Sequence, residues 1–84
     1  MKMEKKTEFY LIQSFTGELI CKGTDLNEVI KPALAIASTD NCGMFRCWCD
    51  EDNRLYIDAG PEVFYVITDT SKGVEMLKNR MKNI

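Results

Sequence analysis

Between Met44 and Gly60 the chain alternates twice. Phe45, Cys47 and Cys49 fall on one side of an extended strand, with Met44, Arg46, Trp48 and Asp50 on the other. Leu55, Ile57 and Ala59 then share one side, and Arg54, Tyr56 and Asp58 share the opposite one. Between these runs lies the polar triplet Glu51, Asp52, Asn53, whose asparagine tolerates the left-handed conformation that a three-residue hairpin loop needs. A loop of that length pairs Asp50 with Arg54, Cys49 with Leu55, Trp48 with Tyr56, Cys47 with Ile57 and Arg46 with Asp58. A two-residue loop would oppose Cys49 with Tyr56 and set core residues against surface ones. The side chains therefore specify the register.

Upstream, Glu8 to Phe15 alternates with Phe9, Leu11 and Phe15 on one face and Tyr10, Ile12 and Ser14 on the other. Both faces are partly apolar, which suits an interior strand, or a strand whose second face meets another subunit. Thr16 and Gly17 supply a tight turn, and Leu19, Ile20 and Cys21 continue as a second strand ending at Gly23. Asp25 followed by Glu28 matches a capping box, and Leu26, Val29, Ile30, Ala33, Leu34 and Ala37 recur at helical spacing. Pro32 conflicts with a continuous helix, because it removes an amide donor and clashes with the preceding turn. The expectation is one kinked helix ending near Ser38, with a small face of Ala33, Ala35 and Ala37 against the sheet. The alternative is a short first turn followed by a main helix opening at Pro32.

Thr39 to Gly43 reads as loop, and Gly60 and Pro61 as a turn. Glu62 to Thr68 is rich in β-branched and aromatic residues and reads as a strand. Asp69, Thr70 or Ser71 can cap a last helix whose buried stripe is Val74, Leu77, Met81 and Ile84. Residues 1–84 thus read as a single α+β domain in the order ββαβββα: an antiparallel sheet of about five strands with two helices, preceded by a fraying segment at residues 1–7.

With 45% hydrophobic and 29% charged residues, the chain has the profile of an ordinary globular protein, and 84 residues suffice for one small core. The longest mostly apolar run, Val29 to Ala37, is interrupted by Lys31 and Pro32 and is too short to span a bilayer. The N-terminal MKMEKKTE has no apolar stretch of signal-peptide type. A cytoplasmic location with four reduced cysteines is expected. The formal charge of −2 is unevenly spread: residues 1–39 balance, residues 40–69 carry seven acidic and two basic side chains, and residues 70–84 carry one acidic and four basic. No dense basic stripe of the kind phosphate contacts require is present in the sequence.

Candidate chemistry is sparse. Cys21, Cys42, Cys47 and Cys49 lack the paired CxxC turns of zinc sites, and Cys47 and Cys49 flank Trp48 on a strand, so they read as small core residues and no metal is expected. The chain has no histidine, which removes the commonest general base. Asp50, Glu51, Asp52 and Asp58 fit a solvated hairpin tip, and the five glycines are isolated turn residues rather than a phosphate cradle. No catalytic residue, enzyme activity or cofactor is assigned.

What remains is the outer face of the central hairpin, where Arg46, Trp48, Arg54, Tyr56 and Asp58 come together. Trp, Tyr and Arg are the residue types most enriched at interface hot spots, each combining contact area with a polar tip. The expectation is a small protein-binding module without catalysis, a stoichiometric inhibitor or accessory protein of the phage or mobile-element kind, with self-association as a further possibility. The alternative is binding of a nucleotide or of single-stranded or structured RNA, Trp48 and Tyr56 stacking on bases while Arg46 and Arg54 meet phosphates. Residues 25–84 have an αβββα order similar to that of double-stranded-RNA-binding domains, although the basic helix start of that family is reduced to Ser71 and Lys72.

Overall fold

The computed structural model describes residues 6–40, 46–49, 53–59 and 62–82. The elements run β1 (Phe9–Gln13), β2 (Leu19–Gly23), α1 (Leu26–Val29), α2 (Lys31–Asp40), β3 (Arg46–Cys49), β4 (Leu55–Asp58), β5 (Val63–Thr68) and α3 (Ser71–Lys82). The class is α+β. The observed order is ββααβββα, with three helices where two were expected. The strands form an antiparallel sheet in the order β2-β1-β5-β4-β3.

β3 and β4 pair Arg46 with Asp58, Cys47 with Ile57, Trp48 with Tyr56 and Cys49 with Leu55, the register that the alternation dictates. Asn53 holds φ at +62°, the left-handed position its short polar side chain permits. Glu51 and Asp52 of the expected loop, the expected pairing of Asp50 with Arg54, and the expected Gly60–Pro61 turn lie outside the described residues. The Ala59 N–H donates to the Glu62 carbonyl at 2.9 Å as the chain enters β5.

β5 is the middle strand, and β1 lies between it and β2, so the first strand is interior to the sheet. That position explains the two apolar faces of β1: Phe9 and Leu11 are fully buried, whereas Tyr10 and Ile12 are half-buried on the other side. Phe15 does not continue this face as expected. It is 71% exposed, because β1 ends at Gln13, whose Oε1 accepts from the Phe15 and Thr16 amides at 2.7 and 3.0 Å. The turn closes through Gly17 N–H to the Gln13 carbonyl at 2.8 Å, with Gly17 at φ +76°. The register shifts at Leu11/Ile12, which pair with Cys21 and Leu19, so Ile20 is the extra residue of a bulge.

The first helix divides. Asp25 is its N-cap, accepting the Asn27 amide at 3.1 Å, while Glu28 pairs with Lys31 at 2.8 Å instead of reaching back to complete a capping box. Ile30 caps α1 at φ −85° and ψ −7°, and a fresh helix begins at Lys31. Pro32 is then the second residue of α2, where no amide is needed, so the break accommodates the proline that one kinked helix would have had to bury. α2 extends to Asp40, beyond the expected end at Ser38. Ala33 is fully buried but Ala35 is exposed, since two residues carry a side chain to the far side of a helix. Replacing Asp25 with alanine is expected to cost about 1 kcal/mol, the usual worth of an N-cap, and a urea melt of the variant measures it.

Helices cover a single face of the sheet. Phe9, Leu11, Leu55, Ile57, Phe64 and Val66 project into one core with Leu26, Val29, Ile30, Ala33 and Leu77. α3 lies over β3, β4 and β5, and α1 over β1 and β2. Thr70 starts α3, its Oγ1 accepting the Gly73 amide at 3.0 Å while its carbonyl accepts Val74 N–H at 3.1 Å. The same hydroxyl lies 2.8 Å from the Thr7 Oγ1, and the Thr68 hydroxyl donates to the Glu8 carbonyl at 2.8 Å. Gly73, expected in a turn, is helical and buried. Val74 is half-buried and Leu77 fully buried; the Met81 side chain and Ile84 lie outside the described residues.

Candidate partner-binding surface

The second face of the sheet carries no helix among the described residues. Residues that pair directly across antiparallel strands share a face, so the register can be followed from strand to strand. Trp48 on β3 pairs with Tyr56 on β4, Tyr56 with Tyr65 on β5, Tyr65 with Ile12 on β1, and Ile12 with Leu19 on β2. One row of aromatic and aliphatic positions therefore crosses the whole sheet on the side away from the core. Beside it, Tyr10 pairs with Ile67 and Lys22, while Asp58 lies between Arg46 and Val63. Tyr10, Ile12, Tyr56, Asp58, Val63, Tyr65 and Ile67 are all half-buried, with their neighbours on the sheet as cover.

Arg54 organises the centre of this surface. Its guanidinium carbon lies 4.8 Å from the Tyr65 ring centroid, and its Nη1 donates to the Tyr56 hydroxyl at 3.3 Å. The Tyr56 and Tyr65 rings are 5.6 Å apart and inclined at 48°, within the favourable range for offset aromatic pairs. The cation thus sits on one ring and bonds the hydroxyl of the next, which holds the two aromatic side chains in place. Of the five expected site residues, Arg54, Tyr56 and Asp58 lie together on this face by their side chains, and the register sets Arg46 and Trp48 beside them.

Tyr65, Ile12, Tyr10 and Ile67 were absent from the expected site. Their alternation was visible, but assigning them to the same surface requires the β1–β5 and β5–β4 pairings, which join segments distant in sequence.

Elsewhere the chemistry is modest. The Cys21 thiol donates to the Val29 carbonyl at 3.2 Å, and burial pushes its pKa upward, so it is a poorer nucleophile than a solvated thiol. Cys47 and Cys49 occupy positions opposite Ile57 and Leu55, and Cys42 lies outside the described residues. Among the described residues no three His, Cys, Asp or Glu side chains converge on a point where a metal ion would sit. The Lys31 ammonium is favoured by its hydrogen bond to Glu28, an exposed pair. A cleft of about 410 Å³ lies between Thr24–Asn27 and the Met76, Asn79 and Arg80 side of α3. No helix among the described residues is long and apolar enough to cross a membrane.

No protein-family model matches the chain, and neither a curated protein nor a solved structure resembles it to a significant degree.

Proposed function

We propose that the protein acts by stoichiometric, non-catalytic binding of a protein partner through the helix-free face of its sheet, as a small inhibitor or accessory protein. The observation that carries this reading is the row from Trp48 through Tyr56, Tyr65 and Ile12 to Leu19, on a face no described helix covers. An antiparallel sheet with one solvated face normally alternates apolar and polar positions; here the outer row holds Trp48, Tyr56 and Tyr65, large residues with polar tips, followed by the aliphatic Ile12 and Leu19. Such side chains offer wide contact area with little conformational freedom to lose, and the Arg54 contacts to Tyr56 and Tyr65 reduce that loss further.

The same aromatic faces would suit stacked bases, with Arg54 as a cationic lid on Tyr65. Charge favours a protein: residues 40–69, which supply β3, β4 and β5, carry seven acidic and two basic side chains. An acidic surface repels a phosphate backbone.

A pull-down with the native host's lysate identifies the partner, and titrations of the purified pair then test the site. Trp48→Ala and Tyr56→Ala should each weaken binding at least about tenfold while circular dichroism stays native, since the cross-strand pair itself is worth only about 1 kcal/mol. Arg46→Glu separates the classes: for an RNA ligand it weakens binding sharply and the wild-type affinity falls steeply with salt, whereas an aromatic protein interface responds little to salt. Native affinity in both folded alanine variants would return the row to a purely structural role.

A further inference from the structure

We propose that the cleft between α1 and α3 binds a small zwitterion with an apolar body, of the class of an aliphatic α-amino acid. α1 lies over β1 and β2 and α3 over β3, β4 and β5, and the cleft of about 410 Å³ lies between the two helices. Ligand clefts in proteins span about 300 to 1,000 Å³, so this one, at the small end, suits a small molecule. One wall is a single stripe of α3, because Met76, Asn79 and Arg80 stand at i, i+3 and i+4. The other is the turn into α1, Thr24 to Asn27, in which Leu26 is buried and the other three residues are exposed.

Two observations select the ligand, and the first is charge. The cleft is lined by one cation and one carboxylate, Arg80 and Asp25, and neither forms an ion pair with another described residue. Arg80 is half-buried, and its guanidinium has no hydrogen-bond acceptor among the described residues, which leaves its fork of donors open to a carboxylate. Asp25 accepts the Asn27 amide at 3.1 Å with one oxygen, and its second oxygen takes no bond from a described residue. Lys31, whose ammonium feels the charge of Asp25, is held instead by Glu28 at 2.8 Å. A ligand with a carboxylate alone would meet Asp25 as a like charge, and one with an ammonium alone would meet Arg80 in the same way. A zwitterion satisfies both. The second observation is apolar surface in the same cleft. Met76 is 37% exposed, the one large exposed hydrophobic side chain among the described residues outside the β1–β2 hairpin. Its unbranched thioether adapts to aliphatic bodies of different shape, and Leu26 adds to the surface on which they leave water. The cleft lies on the helix-bearing side of the sheet and stands independently of the partner-binding reading.

A heteronuclear NMR titration of the purified chain with L-leucine tests it. Leucine should bind with a dissociation constant below about 1 mM and shift the amides of Thr24 to Asn27 and of Met76 to Arg80, while those of Tyr56 and Tyr65 stay in place. Isocaproate, which is leucine without its ammonium, and isoamylamine, which lacks the carboxylate, should each bind at least about tenfold more weakly than leucine. Asp25→Asn removes the charge but keeps a good N-cap, and Arg80→Gln keeps a good helix former. Each should weaken leucine at least about tenfold. Asp25→Asn should nevertheless bind isocaproate no more weakly than wild type does, and Arg80→Gln should do the same for isoamylamine. A loss that depends on which charge the ligand carries is a pattern that misfolding cannot produce. Lys78→Ala, on α3 but outside the cleft, should bind leucine as wild type does. The absence of a saturable shift with L-leucine up to about 10 mM overturns the proposal, as does saturation confined to amides elsewhere on the chain. So does native leucine affinity in either charge-neutral variant.

Discussion

Leu77→Ala should destabilise the protein by about 2 to 5 kcal/mol, the range for deleting a buried leucine side chain whose cavity cannot collapse. Leu77 is fully buried and, among the described side chains of α3, is the one that enters the core formed by Leu55, Ile57, Phe64 and Val66. Its neighbours on that face of the helix are poor substitutes, since Val74 is only half-buried and Gly73 has no side chain. Small domains have a total stability of about 5 to 15 kcal/mol, so this one change consumes a large share of it. A urea titration monitored by circular dichroism should show a lowered midpoint, and Lys78→Ala, at the adjacent exposed position, should stay within about 0.5 kcal/mol of wild type. Equal effects of the two substitutions would mean that α3 is not held by its buried side.

The second large effect reverses a familiar sign. Glycine inside a helix ordinarily costs about 1 kcal/mol relative to alanine, so Gly73→Ala would be stabilising on propensity alone. A methyl group at Gly73 would, however, overlap the Thr68 hydroxyl, approach the Thr68 Cβ to 2.9 Å and the Thr7 methyl to 2.8 Å. Neither threonine can swing aside cheaply: Thr68 is fixed in β5 with its hydroxyl bonded to the Glu8 carbonyl, and the Thr7 hydroxyl contacts Thr70. Overpacking of this kind costs about 1 to 3 kcal/mol, and moving α3 outward to relieve it would also strip Leu77 of contacts. A melting temperature lowered by about 4 to 8 °C for each kcal/mol is the expected readout. Thr68→Ala should recover part of the loss in the double variant, because it removes the hydroxyl but leaves the Cβ. A raised melting temperature for Gly73→Ala alone would show that helix propensity outweighs the crowding.

The central hairpin was legible because its information is local. Parity on both sides of a three-residue loop fixes which residues face each other, and Asn53 marks the loop by the one conformation it tolerates better than most residues. The helix break was half legible: Pro32 announced a conflict, but whether the chain kinks or restarts depends on how Ile30 and Ala33 fit the core, which is decided by packing. Phe15 was misplaced because alternation alone does not show where a strand stops; the Gln13 side chain, bonding two amides of the turn, ends it. Gly73 looked like turn punctuation because its function is a close approach between α3 and two threonines some distance away in sequence. The candidate surface was legible on β3 and β4 and invisible on β5, β1 and β2, since no local pattern says which strands are neighbours.

The pairing of β1 with β5 has a consequence for how the chain reaches this state. Its contacts join Phe9 to Thr68 and Gln13 to Phe64, separations of 59 and 51 residues. During synthesis the first strand emerges before β5, yet the place beside it that β5 fills stays vacant until residues beyond Thr68 have left the ribosome. Chains extend at about 5 to 20 residues per second, so β1 waits for seconds with Tyr10, Ile12, Phe9 and Leu11 all unprotected on one flank. Pairings between such remote segments also slow folding, because the loop must close before any contact rewards it. The opening hairpin is therefore exposed to chaperones and to premature association for that interval, and a circular permutation that links the chain after α3 to the start of β1 should shorten it by bringing β5 and β1 closer together in sequence.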